Sequence, residues 1–130
     1  MKYYNFLDKP FKAIQLMELY NDAGWWAERT EQEIEEMLKS VIAIGVWDDD
    51  RLVGFARAIT DGKFRAYIED VVVHSEFQKS GIGKQLISKI MSELTHIDVV
   101  SLFCEEHLVP FYQSNSFKRS KSQFVLHRKK

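Results

Sequence analysis

The feature that most constrains this 130-residue chain is a valine run that leads through a glycine-containing loop into an amphipathic helix. The run ends at Val73, and glycine stands at positions 81 and 83 of the loop. Apolar residues then recur at helical spacing between Leu86 and Leu94. Free amides at a helix N-terminus attract anions, and glycine lets the backbone approach them closely. This segment therefore predicts a turn that binds phosphate.

Two common phosphate-binding motifs do not fit this loop. A Walker A loop requires glycine at the position of Gln78 and a hydroxyl residue at the position of Gln85. The dinucleotide-binding fingerprint requires a third glycine at the position of Leu86 and a parallel β-α-β start. The sequence therefore argues against a nucleotide kinase and against a Rossmann enzyme.

Composition points to one folded domain with balanced charge. Hydrophobic residues make up 45% of the chain, which suffices for a core, and 18 basic residues stand against 19 acidic ones. We therefore expect a single domain over residues 1–130, with no nucleic-acid partner and no membrane segment. The first residues contain no apolar run typical of a signal peptide, so we expect a cytoplasmic protein.

The predicted elements follow the order β-α-α-β-β-β-α-β-α-β. An antiparallel meander followed by one β-α-β crossover predicts an α+β fold, with a mixed sheet and helices on both of its faces. The closing β-like segments are predicted at Phe117 and from Phe124 to His127, where aromatic and branched residues recur.

Two local signals are specific enough to predict backbone geometry. Thr30 and Glu33 match a capping box at the start of the second helix. Asp61 and Gly62 predict a two-residue hairpin turn, because glycine accepts the positive φ that such turns require.

The pattern Gln-x-x-Gly-x-Gly, which starts at Gln78 after the valine-rich strand, resembles the coenzyme A loop of the GNAT acetyltransferase superfamily (GCN5-related N-acetyltransferases). The resemblance extends over nearly the whole chain, from the strand that begins at Leu52 to Phe117. It implies the GNAT fold, in which the two central parallel strands splay apart. It also implies acetyl-coenzyme A as cosubstrate, held by the valine strand and by the loop. The cofactor-binding residues that it implies are Val71, Val72, Val73, Gln78, Lys79, Ser80, Gly81, Ile82, Gly83 and Lys84.

A second segment, from Phe111 to Phe117, is similar to the Phe-Tyr-x-x-x-Gly-Phe motif of the same family, with Ser116 where glycine is usual. The resemblance implies that Tyr112 lies near the coenzyme sulfur and protonates the departing thiolate. A phenol suits that role because it is a hydrogen-bond donor that is protonated at neutral pH.

An amine acceptor must lose its proton before it attacks, so a base is required. Glu69 and Asp70 are the candidates, because both directly precede the valines. Strand alternation places them on opposite faces unless the strand has a bulge. The resemblance favours Glu69, since many relatives carry a base upstream on this strand. The alternative is that either carboxylate pairs with Arg57 or Arg65 on a neighbouring strand.

The acceptor site is expected between the two early helices, where Trp25 and Trp26 would line an aromatic pocket. The alternative is that one or both tryptophans fill the core. Cys104 has no assignable histidine partner and is expected to be packed.

The resemblance implies an N-acetyltransferase acting directly on a small amine, an arylalkylamine or a lysine-type acceptor, without a metal and with a homodimer as a reasonable assembly. A non-catalytic acyl-CoA-binding module of the same fold is the competing function.

Overall fold

The protein, described over all 130 residues by a computed structural model, has a five-stranded sheet and four α-helices. The strands are β1 (Lys2–Asn5), β2 (Ile42–Asp48), β3 (Arg51–Thr60), β4 (Arg65–Val73) and β5 (Val99–Leu102). The helices are α1 (Ala13–Ala23), α2 (Glu31–Leu38), α3 (Ile82–Ser92) and α4 (Val109–Gln113). None of these helices combines the length and the apolar character needed to cross a bilayer.

The sheet has the strand order β1-β2-β3-β4-β5. Strands β1 to β4 pair antiparallel with their neighbours, and β4 pairs parallel with β5 across the crossover helix α3. Helices α1 and α2 cover one face of the sheet, and α3 covers the other. The predicted meander, the crossover and the placement of helices on both faces are therefore confirmed.

Each face of the sheet has its own apolar core. Leu16 of α1 and Ile34 of α2 pack with Phe55 on one face. Leu86 of α3 packs with Ile68 on the other. Full burial of each such side chain contributes about 1.5–3 kcal/mol. The two cores therefore hold β3 and β4 firmly between them, which fixes the strand ends that form the site.

The parallel pair β4 and β5 separates partway along its length. Pairing runs from Arg65 opposite Val99 to Ile68 opposite Leu102 and then stops. The remainder of β4, residues 69–73, has no partner strand on the β5 side. This is the splay that the family resemblance implied, and it leaves an open strip of main chain along the valine run.

Strand β4 carries a bulge at Asp70. Phe55 lies opposite Val72 while Arg57 lies opposite Glu69, so three steps of β4 match two steps of β3. Asp70 has a φ of 56°, in the left-handed region. Without the bulge, strand alternation would send Glu69 and Asp70 to opposite faces. With it, both carboxylates reach the same guanidinium, that of Arg57.

The connection between β3 and β4 is longer than the predicted two-residue turn, since it comprises residues 61–64. Gly62 does adopt a positive φ, 82°. Asp61 Oδ1 accepts hydrogen bonds from the amides of Lys63, Phe64 and Arg65 at 2.9, 2.8 and 3.2 Å. These bonds lower the pKa of Asp61. One carboxylate that satisfies three amides stabilises the wider loop.

The predicted strands at the end of the chain are wrong. Phe117 and the segment from Phe124 to His127 have no regular structure, and the sheet ends at β5. A strand needs a partner to satisfy its amides and carbonyls. After Phe117, no backbone amide donates a hydrogen bond to another backbone group, and the side chains of Phe124 and Leu126 are exposed.

Candidate active site

The loop predicted to bind phosphate lies at the N-terminus of α3. None of the backbone amides from Gln78 to Lys84 donates a hydrogen bond within the protein. Gly81 is the N-cap residue, with a φ of 80°, and Lys79 also has a positive φ, 69°. Lys79 and Lys84 are exposed and form no ion pair. This row of free amides at a helix dipole, flanked by two lysines, suits a diphosphate.

Other side chains of this loop support its shape. The amide nitrogen of the Gln78 side chain donates to the carbonyl of Val73 at 3.0 Å, which joins the loop to the end of β4. The Ser80 hydroxyl donates to the carbonyl of Phe77 at 2.8 Å. The side chain of Ile82 is buried in the core, so this residue can offer a ligand only its amide.

Gly83 brings the loop against the last helix. A Cβ atom at this position would lie 3.3 Å from Cζ of Phe111, closer than ordinary van der Waals contact. The absence of a side chain therefore lets α3 and α4 approach each other. This contact fixes Tyr112, the next residue of α4, relative to the free amides.

Tyr112 is 9% exposed, and its hydroxyl has no hydrogen-bond partner within the protein. Its ring packs edge-on against Phe111 and Phe117, with ring centroids 5.0 and 6.0 Å away. Burial, and to a lesser degree the nearby Cys104, raises the pKa of Tyr112 to about 12. The phenol therefore stays protonated at neutral pH and can serve as a proton donor.

Asp70 lies at the centre of a buried polar cluster. Its carboxylate accepts from the Tyr20 hydroxyl at 3.0 Å, from Trp26 Nε1 at 3.2 Å and from Arg57 Nε at 2.8 Å. Arg29 contributes a further contact at 3.6 Å. Burial and the Asp70 carboxylate raise the pKa of Tyr20. With its acceptor positions occupied, Asp70 joins α1, the α1–α2 loop and β3 to the bulge of β4.

Glu69 is placed differently from Asp70. It is half-buried, and its one partner is the guanidinium of Arg57. Both Glu69 and Asp70 therefore pair with Arg57, which is the alternative to a free base that the sequence left open. Only Glu69 keeps a partly open carboxylate.

A cavity of about 560 Å³ opens where β4 and β5 separate. Its volume falls within the range of small-molecule sites. The walls comprise the α1–α2 loop, the bulged part of β4 and the segment that follows β5. Five of the predicted site residues line it together: Trp25, Trp26, Glu69, Val71 and Tyr112.

The two tryptophans lie at the cavity rather than in the core. Trp25 is 37% and Trp26 is 38% exposed. Trp26 is held by its bond to Asp70 and by the guanidinium of Arg29, which stacks 3.9 Å from its ring centre. The indole of Trp25 forms no hydrogen bond, whereas its backbone amide donates to the carbonyl of Tyr20 at 2.8 Å.

Sequence reasoning missed several cavity residues. Phe103 and Leu108 follow β5 and face the cavity, and Cys104 beside them is exposed rather than packed. Their proximity to the tryptophans depends on where the chain turns after β5, a tertiary feature that carries no local signal. The only available hint was their closeness in sequence to Tyr112.

Together these features define an acyltransferase architecture, with free amides at the N-terminus of the crossover helix and a splayed parallel pair beside a buried tyrosine. The family model described as "Acetyltransferase (GNAT) family" matches residues 3–117. The chain belongs to this family, and it is an acetyltransferase of the GNAT type.

Individual relatives agree with this assignment. An uncharacterized N-acetyltransferase, ycf52, of Porphyra purpurea is 33% identical over 133 aligned positions, covering 85% of this chain and 76% of that protein. A ycf52-like relative from Prochlorococcus marinus is 35% identical, and the match covers 80% of this chain and 61% of that protein. This chain thus spans less than two thirds of the second relative's length.

Among solved structures, a GNAT family acetyltransferase of Streptococcus pneumoniae superposes with a TM-score of 0.79. The two chains are 23% identical, and the superposition covers 98% of each. The sequence identity is low, so this likeness concerns the fold.

Proposed function

We propose that this protein transfers the acetyl group of acetyl-coenzyme A directly to a primary amine. The observation that carries the proposal is that Tyr112 and Glu69 line one cavity at the point where β4 and β5 separate. One residue can donate a proton to the leaving sulfur and the other can accept a proton from the attacking nitrogen. The acceptors considered are a small amine, an arylalkylamine or a lysine-type amine.

Acetyl-coenzyme A supplies a thioester whose carbonyl carbon is open to attack by an amine. In the proposal, the free amides between Gln78 and Lys84 hold its diphosphate, and Lys79 adds positive charge. The unpaired edge of Val71 to Val73 offers main-chain groups to the pantetheine arm. An amide on this strand would also stabilise negative charge on the thioester oxygen, and a preorganised donor of this kind is a strong catalytic device.

The proton balance follows from the two side chains. Glu69 accepts a proton from the amine as the new C–N bond forms. Tyr112 donates a proton to sulfur as the C–S bond breaks. The guanidinium of Arg57 contacts the Glu69 carboxylate and holds it at the cavity wall.

The experiment is a turnover assay that follows both thiol release from acetyl-coenzyme A and formation of the N-acetyl product. A panel of alkylamines, diamines, arylalkylamines and lysine peptides serves as acceptors. We expect equal amounts of thiol and N-acetyl amine with at least one acceptor class. Coenzyme binding without turnover on any amine would contradict the proposal and favour a non-catalytic acyl-CoA-binding module.

A further inference from the structure

The cavity at the end of β4 has an unbalanced charge. Its lining includes four carboxylates, those of Glu28, Glu69, Asp70 and Glu105, and contains no lysine or arginine. Arg57, behind the cavity, pairs with Glu69 and Asp70.

The remaining two carboxylates face no such partner. Glu28, on the α1–α2 loop, forms no ion pair or hydrogen bond, and Glu105, after β5, has only His107 at 3.8 Å. The cavity therefore presents two outer negative charges that no lysine or arginine neutralises.

Aromatic side chains line the same cavity as these charges. Trp25 and Trp26 come from the loop, and Tyr67 and Phe103 lie with ring centroids 4.8 Å apart on the β4–β5 side. Such faces pack well against methylene chains and attract ammonium groups. The stacking of Arg29 on Trp26 shows that an indole of this wall already attracts a cation.

Tyr112 provides independent evidence that the cavity receives a ligand. This side chain is more than nine-tenths buried, lines the cavity, and has a hydroxyl without a partner in the protein. The hydroxyl itself stays accessible, so it is free to bond a molecule that enters the cavity.

We infer that the acceptor is an aliphatic diamine or polyamine, with one amine placed near Glu69 and Tyr112 and a second, protonated amine attracted by Glu28 and Glu105. This inference rests on the proposed function and narrows its acceptor class. A monoamine would leave the two outer carboxylates without a counter-charge. An arylalkylamine would match the aromatic wall but would also lack the second charge.

The test compares acceptors that have the same chain and differ in one group: 1,5-diaminopentane, n-pentylamine and 5-amino-1-pentanol. Thiol release is measured at saturating acetyl-coenzyme A and low salt, with phenethylamine and a lysine peptide in the same panel. We expect kcat/KM to be about fivefold or more higher for the diamine than for either matched monoamine. The advantage should shrink as added salt screens the exposed carboxylates.

Variants that remove one carboxylate test which residues cause the preference for the diamine. Glu28→Gln and Glu105→Gln should each lower the ratio of diamine to monoamine kcat/KM, mainly through the KM of the diamine, and the double variant should bring it near one. Glu35→Gln is the matched control, because Glu35 is an exposed carboxylate of α2 outside the cavity and its replacement changes the net charge equally.

The outcomes separate the two proposals. Equal rates for diamine and monoamines, a ratio unchanged in the double variant, or a preference for phenethylamine or the lysine peptide would overturn the diamine inference and leave amine acetylation standing. No turnover with any acceptor would overturn both.

Discussion

Arg57 and Asp70 form a buried ion pair on adjacent strands, with Arg57 Nε 2.8 Å from Asp70 Oδ2 and with side chains 8% and 3% exposed. The pair exists because the bulge of β4 turns Asp70 towards Arg57. Tyr20 and Trp26 donate to the same carboxylate. Asp70 therefore fixes the position of Trp26, which lines the cavity, relative to β4. The same strand carries Glu69, the proposed base.

Asp70→Asn should therefore be strongly destabilising. The substitution leaves the buried guanidinium of Arg57 with Glu69 as its sole charged partner, and breaking a buried pair costs about 3 kcal/mol. Chemical denaturation should show a loss of about this size in the free energy of unfolding. Asp48→Asn, an exposed carboxylate at the end of β2, is the control and should change stability by less than about 0.5 kcal/mol. A similar small effect for both variants would contradict the role assigned to Asp70.

Tyr112→Phe should separate catalysis from folding. The hydroxyl has no partner in the protein, so its removal should change the free energy of unfolding by less than about 0.5 kcal/mol. Loss of a proton donor should lower kcat by about 100-fold with little change in the KM for acetyl-coenzyme A. Tyr4→Phe on β1 is the control with normal kcat. Full activity of Tyr112→Phe would remove this residue from the mechanism.

The pH dependence of that effect follows from the direction of the Tyr112 pKa shift. Because the pKa is raised to about 12, the phenol holds its proton throughout the range where enzymes are assayed, and it loses the proton only as pH rises through the raised value. The ratio of wild-type kcat to Tyr112→Phe kcat should therefore stay constant from pH 7 to about 10. Deprotonation of the acceptor amine affects both proteins and cancels in the ratio. A ratio that falls with a midpoint between pH 8 and 10 would contradict the raised pKa of Tyr112.

Gly81→Ala tests the backbone geometry of the loop. A side chain in the left-handed region costs about 1–2 kcal/mol, so the loop should shift and its amides should lose their alignment. We expect the KM for acetyl-coenzyme A to rise about tenfold, which corresponds to about 1.4 kcal/mol.

Gly62→Ala is the matched control for that substitution. Gly62 has nearly the same φ, and an added Cβ would contact nothing at either glycine, but Gly62 lies in the β3–β4 loop. It should lose similar stability with an unchanged KM for acetyl-coenzyme A. Equal KM values in the two variants would mean that the loop around Gly81 does not hold the cosubstrate.

Features set by neighbours in sequence could be predicted from the sequence. Thr30 and Glu33 form the predicted capping box, with the Thr30 hydroxyl 3.2 Å from the amide of Glu33 and the Glu33 carboxylate 2.8 Å from the amide of Thr30. The strand, loop and helix around Gly81 also lie where the glycine spacing predicts them. In both cases the interacting groups are a few residues apart.

Features that depend on contacts between residues far apart in the sequence could not be predicted from it. The bulge at Asp70 could not be located from the sequence, because aspartate tolerates a positive φ in many settings and the partners that hold it here lie 13 to 50 residues away. The strand predicted at residues 124–127 is absent for a related reason, since a strand also depends on a partner elsewhere in the fold. Branched and aromatic residues there favour a strand, but the fold places no partner beside them.

The most direct test of the central claim is a crystal structure with coenzyme A bound. We expect the diphosphate oxygens within hydrogen-bonding distance of amides between Gln78 and Lys84, and the thiol within reach of the Tyr112 hydroxyl in the cavity that Glu69 lines. A diphosphate bound elsewhere, or a thiol that points away from Tyr112, would contradict the account.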